Sequence, residues 1–244
     1  MGWPLDRIVH AEVWATDTIP ADLPPMVEFK AKADRIIKER WGIEVEQFRH
    51  KMSYAAMFYR PICRGPKAGI TKGWPLTSKS RAWCKNLKVN NKLSPPASIS
   101  YVGIAADEPN RFHVLSDTKR SPLVEAGWTE ADCRRWCEEH DLLSPIYTTV
   151  TRGGCWFCHN QSVGQLRLLR KDYPDLWALM LKWDSDSPVT FNPGYRDRNG
   201  VYHPGKTVHD YEERFQLEDD GLIRMDEKFK WTMIEDGGVN YRLF

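Results

Sequence analysis

Two cysteines flanking a Trp-Phe pair, Cys155-Trp-Phe-Cys158, follow the step Arg152-Gly-Gly154. Thiolates two residues apart on a tight turn can converge on one ion, and the glycines let the backbone wrap closely around it. A redox pair, or two unconnected thiols, are the other readings of this spacing. Cys63 and Cys84 would complete a four-thiolate set. That is the donor number of a tetrahedral zinc site or of a 4Fe-4S iron–sulfur cluster, with buried free thiols as the alternative. His159, next to Cys158, can replace one ligand. Cys133 and Cys137 lie four apart on a predicted helix and read as two small core hydrophobes.

A second set of residues suits an anionic or ribose-bearing ligand. Gly103-Ile-Ala-Ala-Asp-Glu108, followed by Arg111, ends an apolar strand. Ligands of open α/β sheets bind beyond the carboxyl ends of strands. There Asp107 or Glu108 can hold a ribose hydroxyl or a metal, and Arg111 a phosphate. The competing reading is a polar loop that caps the next turn. Asp17, at the end of the first strand, is likewise either a ligand-facing acid or a turn residue.

Charge is distributed unevenly. The chain of 244 residues has 35 Lys and Arg and 33 Asp and Glu, yet no acid occurs from Gln47 to Ala106. Eleven bases fall in that stretch: Arg49, Lys51, Arg60, Arg64, Lys67, Lys72, Lys79, Arg81, Lys85, Lys88 and Lys92. Such a segment attracts nucleotide phosphates or a nucleic-acid backbone, tRNA or DNA; otherwise it is a solvated basic face. Tyr54, Phe58, Tyr59, Trp74 and Trp83 interleave with the cations and favour a binding surface.

The elements that must position these residues read as an α/β protein with a parallel sheet flanked by helices. Residues 7–14 form a β-branched strand, a helix follows from about Met26 to Trp41 before Gly42, and residues 43–48 form a second strand. This strand–helix–strand unit is the signature of parallel pairing. Further expectations are a short helix over 80–86, a strand over 99–105, and a helix from Thr129 to Glu139 opened by a capping box. Two more helices are expected over 163–171 and 175–183, the last with Pro174 in its first turn. Residues 1–187 then form the nucleotide-binding domain. Residues 188–244, less regular and acidic at Glu218-Asp-Asp220, form an appendage or lid.

The eleven tryptophans are expected mainly in core and cleft walls. No run approaches the roughly 18 apolar residues of a membrane span, and the first residues lack a secretory pattern. A cytoplasmic protein with thiol or metal chemistry is the expectation.

Together these segments resemble the phosphoadenosine phosphosulfate (PAPS) reductase family, within the PP-loop, adenine nucleotide alpha hydrolase-like group. Val13-Trp-Ala-Thr-Asp-Thr18 is similar to its strand ending in Asp-Thr, and Arg81-Ala-Trp-Cys-Lys-Asn-Leu-Lys88 to its Arg-x-x-Cys-x-x-x-Lys segment. Gly103 to Arg111, Pro122 to Asp132 and Arg152 to Cys158 complete the likeness, which spans residues 7 to 185. The resemblance implies binding of an adenine nucleotide, ATP or PAPS-like, followed by sulfur activation, transfer or redox chemistry. It implies that Arg81, Lys88 and Arg111 meet phosphates, Asp107 or Glu108 the polar part of the nucleotide, and Cys84, Cys155 and Cys158 a cluster; Cys63 is then the expected fourth ligand from its place in the basic loop region, not from the resemblance. The family's Ser-Gly-Gly-x-Asp-Ser phosphate loop has no counterpart here, through a truncated start or a lost cradle. Its nucleophilic cysteine near the C-terminus is missing too, since the last cysteine is Cys158, so reduction by that covalent route is not expected.

Overall fold

The computed structural model describes residues 4–75, 98–148, 153–192, 195–196, 202–203, 205–226, 232–236 and 239–243. Among them the helices are α1 (Pro24–Trp41), α2 (Tyr54–Phe58), α3 (Pro122–Ala126), α4 (Glu130–Glu139), α5 (Val163–Asp172), α6 (Pro174–Asp186) and α7 (Val208–Asp219). The strands are β1 (Ile8–Glu12), β2 (Val45–Arg49), β3 (Ser100–Tyr101), β4 (Lys119–Arg120), β5 (Tyr195–Arg196), β6 (Tyr202–His203), β7 (Thr232–Asp236) and β8 (Val239–Leu243). The chain divides into two compact units, residues 1–53 with 85–155 and residues 54–84 with 156–244. This differs from a division at 187–188, because α7 packs with α5 and α6 in the second unit.

In the first unit β1 and β2 pair in parallel, Ile8 opposite Val45 and Glu12 opposite Arg49, and α1 makes the crossover. The helix starts on Pro24 and Pro25, where a missing N–H costs nothing. It stops at Gly42, whose left-handed φ of 68° lets its N–H reach the Lys38 carbonyl at 2.9 Å. β3 and β4 form a second parallel pair, Ser100 opposite Lys119. The expected strand over 99–105 is thus cut to two residues. Past Val102 the chain turns away, with Ala106 donating to the Trp128 carbonyl, yet Ile104 and Ala105 stay buried. The apolar run reported burial and not ladder pairing.

α4 carries the expected capping box, with Thr129 and Asp132 bonding each other's backbone. Its Cys133 and Cys137 are only half-buried, and burial together with neighbouring charge pushes both thiols up. No residue of α4 is fully buried, so the two cysteines line the helix's inner edge instead of a core.

The second unit holds the larger core. Trp74, Trp156 and Trp183 are at most 2% exposed and pack with Tyr54, Phe58, Phe157 and Phe191. Trp177 is buried beside Phe215, whereas Trp41 and Trp128 are exposed. α7, in the region expected to be irregular, is a three-turn helix opened by a Thr207–Asp210 capping box. The acidic run that suggested a lid is held by arginines. Glu218 sits between Arg167 and Arg214, and Asp219 pairs with Arg170.

The result is a mixed α/β protein with small parallel sheets flanked by helices. Among the described residues no helix is long and apolar enough to cross a membrane. The helix expected over 80–86 lies outside the described residues.

Candidate thiol pocket at the end of β1

β1 carries half-buried His10 and Ala11 near its carboxyl end, and the chain leaves the strand at Val13. The loop that follows closes on itself. Ala15 and Thr16 donate to the Ile19 carbonyl, Thr18 and Ile19 donate to Thr16 Oγ1, and Ala21 donates to the Val13 carbonyl. These backbone donors are spent inside the loop, so it is not a phosphate cradle of converging N–H groups. Asp17 is exposed on it, and its carbonyl accepts from Arg49 at 2.7 Å while that guanidinium lies over Trp14, 3.8 Å from the ring centroid.

Beyond the loop, α1 turns Lys30 and Asp34, one turn apart, toward β1 and β2. A continuous hydrogen-bonded chain results. Lys30 Nζ donates to Asp22 Oδ2 at 2.6 Å and lies 3.0 Å from His10 Nε2. His10 Nδ1 lies 2.9 Å from Gln47 Oε1, and Gln47 Nε2 donates to Asp34 Oδ2 at 2.6 Å. An ammonium has only protons to give, so His10 Nε2 must accept. Nδ1 then carries the hydrogen and donates to the Gln47 carbonyl oxygen, which leaves the amide nitrogen facing Asp34. Every contact in the chain is consistent with this one assignment. In this arrangement His10 Nε2 accepts and Nδ1 donates, and Lys30 is fixed by Asp22 and His10.

A cavity of about 120 Å³ opens here, lined by Ala11, Val13, Ala21, Asp22, Lys30 and Cys155. It lies at the carboxyl end of β1, where ligands of α/β proteins bind. Cys155, 7% exposed, and Lys30, bonded to Asp22 and His10, stand together in its lining. The residues of α1 and β2 in this chain were not singled out by sequence reasoning. The legible signal was there: Lys30 and Asp34 at helical spacing, on the crossover between strands that pair His10 with Gln47.

The other sequence-derived candidates fall into local structure. Asp107 Oδ1 accepts the backbone N–H of Glu130 at 3.0 Å, at the start of α4. Glu108 accepts Arg111 NH1 at 2.6 and 2.8 Å and the Ala105 N–H at 3.1 Å. Arg111 first, and then the Ala105 N–H, hold the Glu108 carboxyl below the usual range. The structure therefore brings Asp107, Glu108 and Arg111 together in one turn, as loop-capping groups with partners of their own.

Of the cysteines, Cys63 is exposed in the second unit, its thiol 3.6 Å from the Pro61 carbonyl. Cys158 is half-buried just past the Trp156-Phe157 turn. Arg81, Cys84 and Lys88 lie outside the described residues. Among the described residues no three His, Cys, Asp or Glu side chains gather as a metal-holding group. No family model, curated protein or solved structure matches the chain.

Proposed function

We propose that this chain is a PAPS-reductase-like protein that binds an adenine nucleotide by its anionic end at the β1 pocket and works in sulfur transfer or redox chemistry. The observation that carries the reading is that Cys155 and Lys30 line one cavity beyond a parallel strand. At about 120 Å³ the cavity is well below the roughly 300–1,000 Å³ of a drug-sized pocket. It suits one phosphate or sulfonate group, with adenosine outside it. Lys30 offers that group its remaining N–H, and Asp22 and His10 keep the ammonium from swinging away. Asp22 also offsets its charge, so the site favours a partly neutralised or singly charged group over a free polyanion.

The same reading takes Cys63, Cys84, Cys155 and Cys158 as ligands of zinc or a 4Fe-4S cluster, which would supply redox or Lewis-acid chemistry at the thiols. Arg81 and Lys88 would meet the outer phosphates.

Calorimetric titration with ATP, AMP and an adenylyl sulfate tests the assignment on anaerobically purified protein whose iron, sulfide and zinc are measured. Binding of at least one nucleotide is expected, weakened by about 10- to 100-fold in Lys30→Met, as for one charged hydrogen bond of ~1.5–3 kcal/mol. Metal at one site per chain, lost in Cys155→Ser, is the expected analysis. Absence of nucleotide binding, or equal binding by Lys30→Met that retains its circular dichroism, would overturn the assignment.

A further inference from the structure

Residues 59–73 of the second unit form a closed loop, and its closure is documented from tip to base. Lys72 N–H donates to the Arg60 carbonyl at 3.1 Å, Ile62 to Ile70 at 2.9 Å, and Gly69 to Ile62 at 2.9 Å. Pro61 and Thr71 form a bridge between the two arms. At the tip Gly65 and Gly69 take left-handed φ values of 86° and 87°, which allows the turn Arg64-Gly-Pro-Lys-Ala-Gly69.

The base is anchored in the core. Gly73 donates to the Phe58 carbonyl, and Trp74 donates its backbone N–H to Ser187 Oγ and its ring N–H to buried Asp184. A Cβ on Gly73 would stand 2.4 Å from Ser187 Oγ and 2.7 Å from Pro188 Cδ, so the loop leaves the core through a gap only glycine fits.

This fixed loop projects Arg60, Arg64 and Lys67, all exposed. None of the three makes an ion pair among the described residues, while Arg7, Arg120, Arg134, Arg135, Arg167, Arg170, Arg214 and Arg224 each do. The contrast follows from sequence: the loop lies inside the stretch from 47 to 106 that holds no acid. Cations spread along a projecting loop do not converge on one small anion as a cavity does. They match an anion that is itself extended.

Beside the tip a single large apolar side chain, Ile70, is 44% exposed, too little to hold the loop in a lipid layer. We infer that residues 59–73 are a contact surface for a nucleic-acid phosphate backbone, engaged without reading sequence. The inference is independent of the β1 pocket.

The test compares wild type with the triple variant Arg60→Ala, Arg64→Ala, Lys67→Ala in fluorescence-anisotropy titrations of labelled duplex DNA, single-stranded DNA and single-stranded RNA across a salt series. Wild type is expected to bind at least one of them with affinity falling steeply as salt rises. Each lost phosphate contact flattens the slope of log K against log salt by about 0.7 to 0.9, so the triple variant should lose about 2 to 3 of slope. Which nucleic acid binds tightest identifies the natural backbone. An unchanged slope in the folded variant overturns the inference. So does wild type that binds none of the three, or that binds only vesicles of anionic phospholipid. Nucleotide calorimetry on the same variant should match wild type, which separates failure of the loop from failure of the pocket.

Discussion

At the scale of single residues, Asp184 shows how one carboxylate organises the second unit. It is buried, yet its two oxygens take three donors: the Trp74 ring N–H at 3.0 Å on one, and the backbone N–H groups of Val208 and His209 at 2.8 and 3.2 Å on the other. Burial pushes its carboxyl up, and the donors from His209, Trp74 and Val208 oppose that. The placement at the start of α7 also puts a negative charge where the helix's free N–H groups gather. Asp184→Asn has one acceptor oxygen in place of two, so either the indole or the α7 amides face an NH2 group. The expected loss is about 1–3 kcal/mol in urea unfolding, with an unchanged denaturant slope. Stability equal to wild type would show that these donors are satisfied otherwise.

Nothing in the sequence marks Asp184, because its partners lie 110 and about two dozen positions away. The cysteines stood out from their spacing. Lys30 and His10 did not, since a lysine on a helix and a histidine in a strand are ordinary until their register is known.

Among elements, the clamp between α5 and α7 explains why an acidic C-terminal region is ordered. Arg167 and Arg170 on α5 meet Glu218, Glu212 and Asp219 on α7, and Arg214 adds a second guanidinium to Glu218. The side chains of Arg214 and Glu218 are 1% and 3% exposed. Burial alone raises the Glu218 carboxyl, but hydrogen bonds from Arg167 and Arg214 outweigh it and hold the group below its ordinary range. A carboxyl depressed by folding contributes stability above its unfolded pKa, and that stability fades as pH falls through the folded value.

Glu218→Gln should therefore be less stable than wild type at neutral pH by about 3 kcal/mol, because buried Arg214 and Arg167 both lose the charge of the carboxylate they share. The gap should narrow as pH falls through the acid limb, measured by urea unfolding at several pH values. A gap constant with pH would contradict the assignment.

Helix positions were largely legible: α1, α4, α5 and α6 carry capping residues, terminal prolines or glycine stops near their observed ends. α7 was hidden by its own charge. Tyr211 and Phe215 recur at helical spacing, but five acids surround them and only their arginine partners reveal that the face is buried.

Over the whole molecule, the β1 cavity and the cationic loop belong to different compact units. The β1 pocket, with Lys30, Asp22 and Cys155, belongs to the first unit. The aromatic core and the cationic loop at 59–73 belong to the second. The chain passes between units after residues 53, 84 and 155, so Cys155 closes the first unit and Trp156 opens the second core. A binary view of the sequence, with a domain to 187 and an appendage after it, misses this interleaving. Contacts that define the units join segments about a hundred residues apart, such as Trp74 with Trp183 and Met26 with Ser144. Parallel pairing was legible because β1, α1 and β2 are consecutive; the discontinuous core was not.

The proposed function requires that a nucleotide's anionic end enter the cavity that Cys155 lines. Site-resolved alkylation reads this directly on chelator-treated, metal-free protein that retains its circular dichroism, with iodoacetamide rates at each cysteine followed by mass spectrometry in the presence and absence of adenine nucleotide. Nucleotide should slow labelling of Cys155 in proportion to occupancy, leave exposed Cys63 unchanged, and protect Lys30→Met only at about 10- to 100-fold higher concentration. Equal Cys155 rates with and without a nucleotide that calorimetry shows to be bound would contradict it.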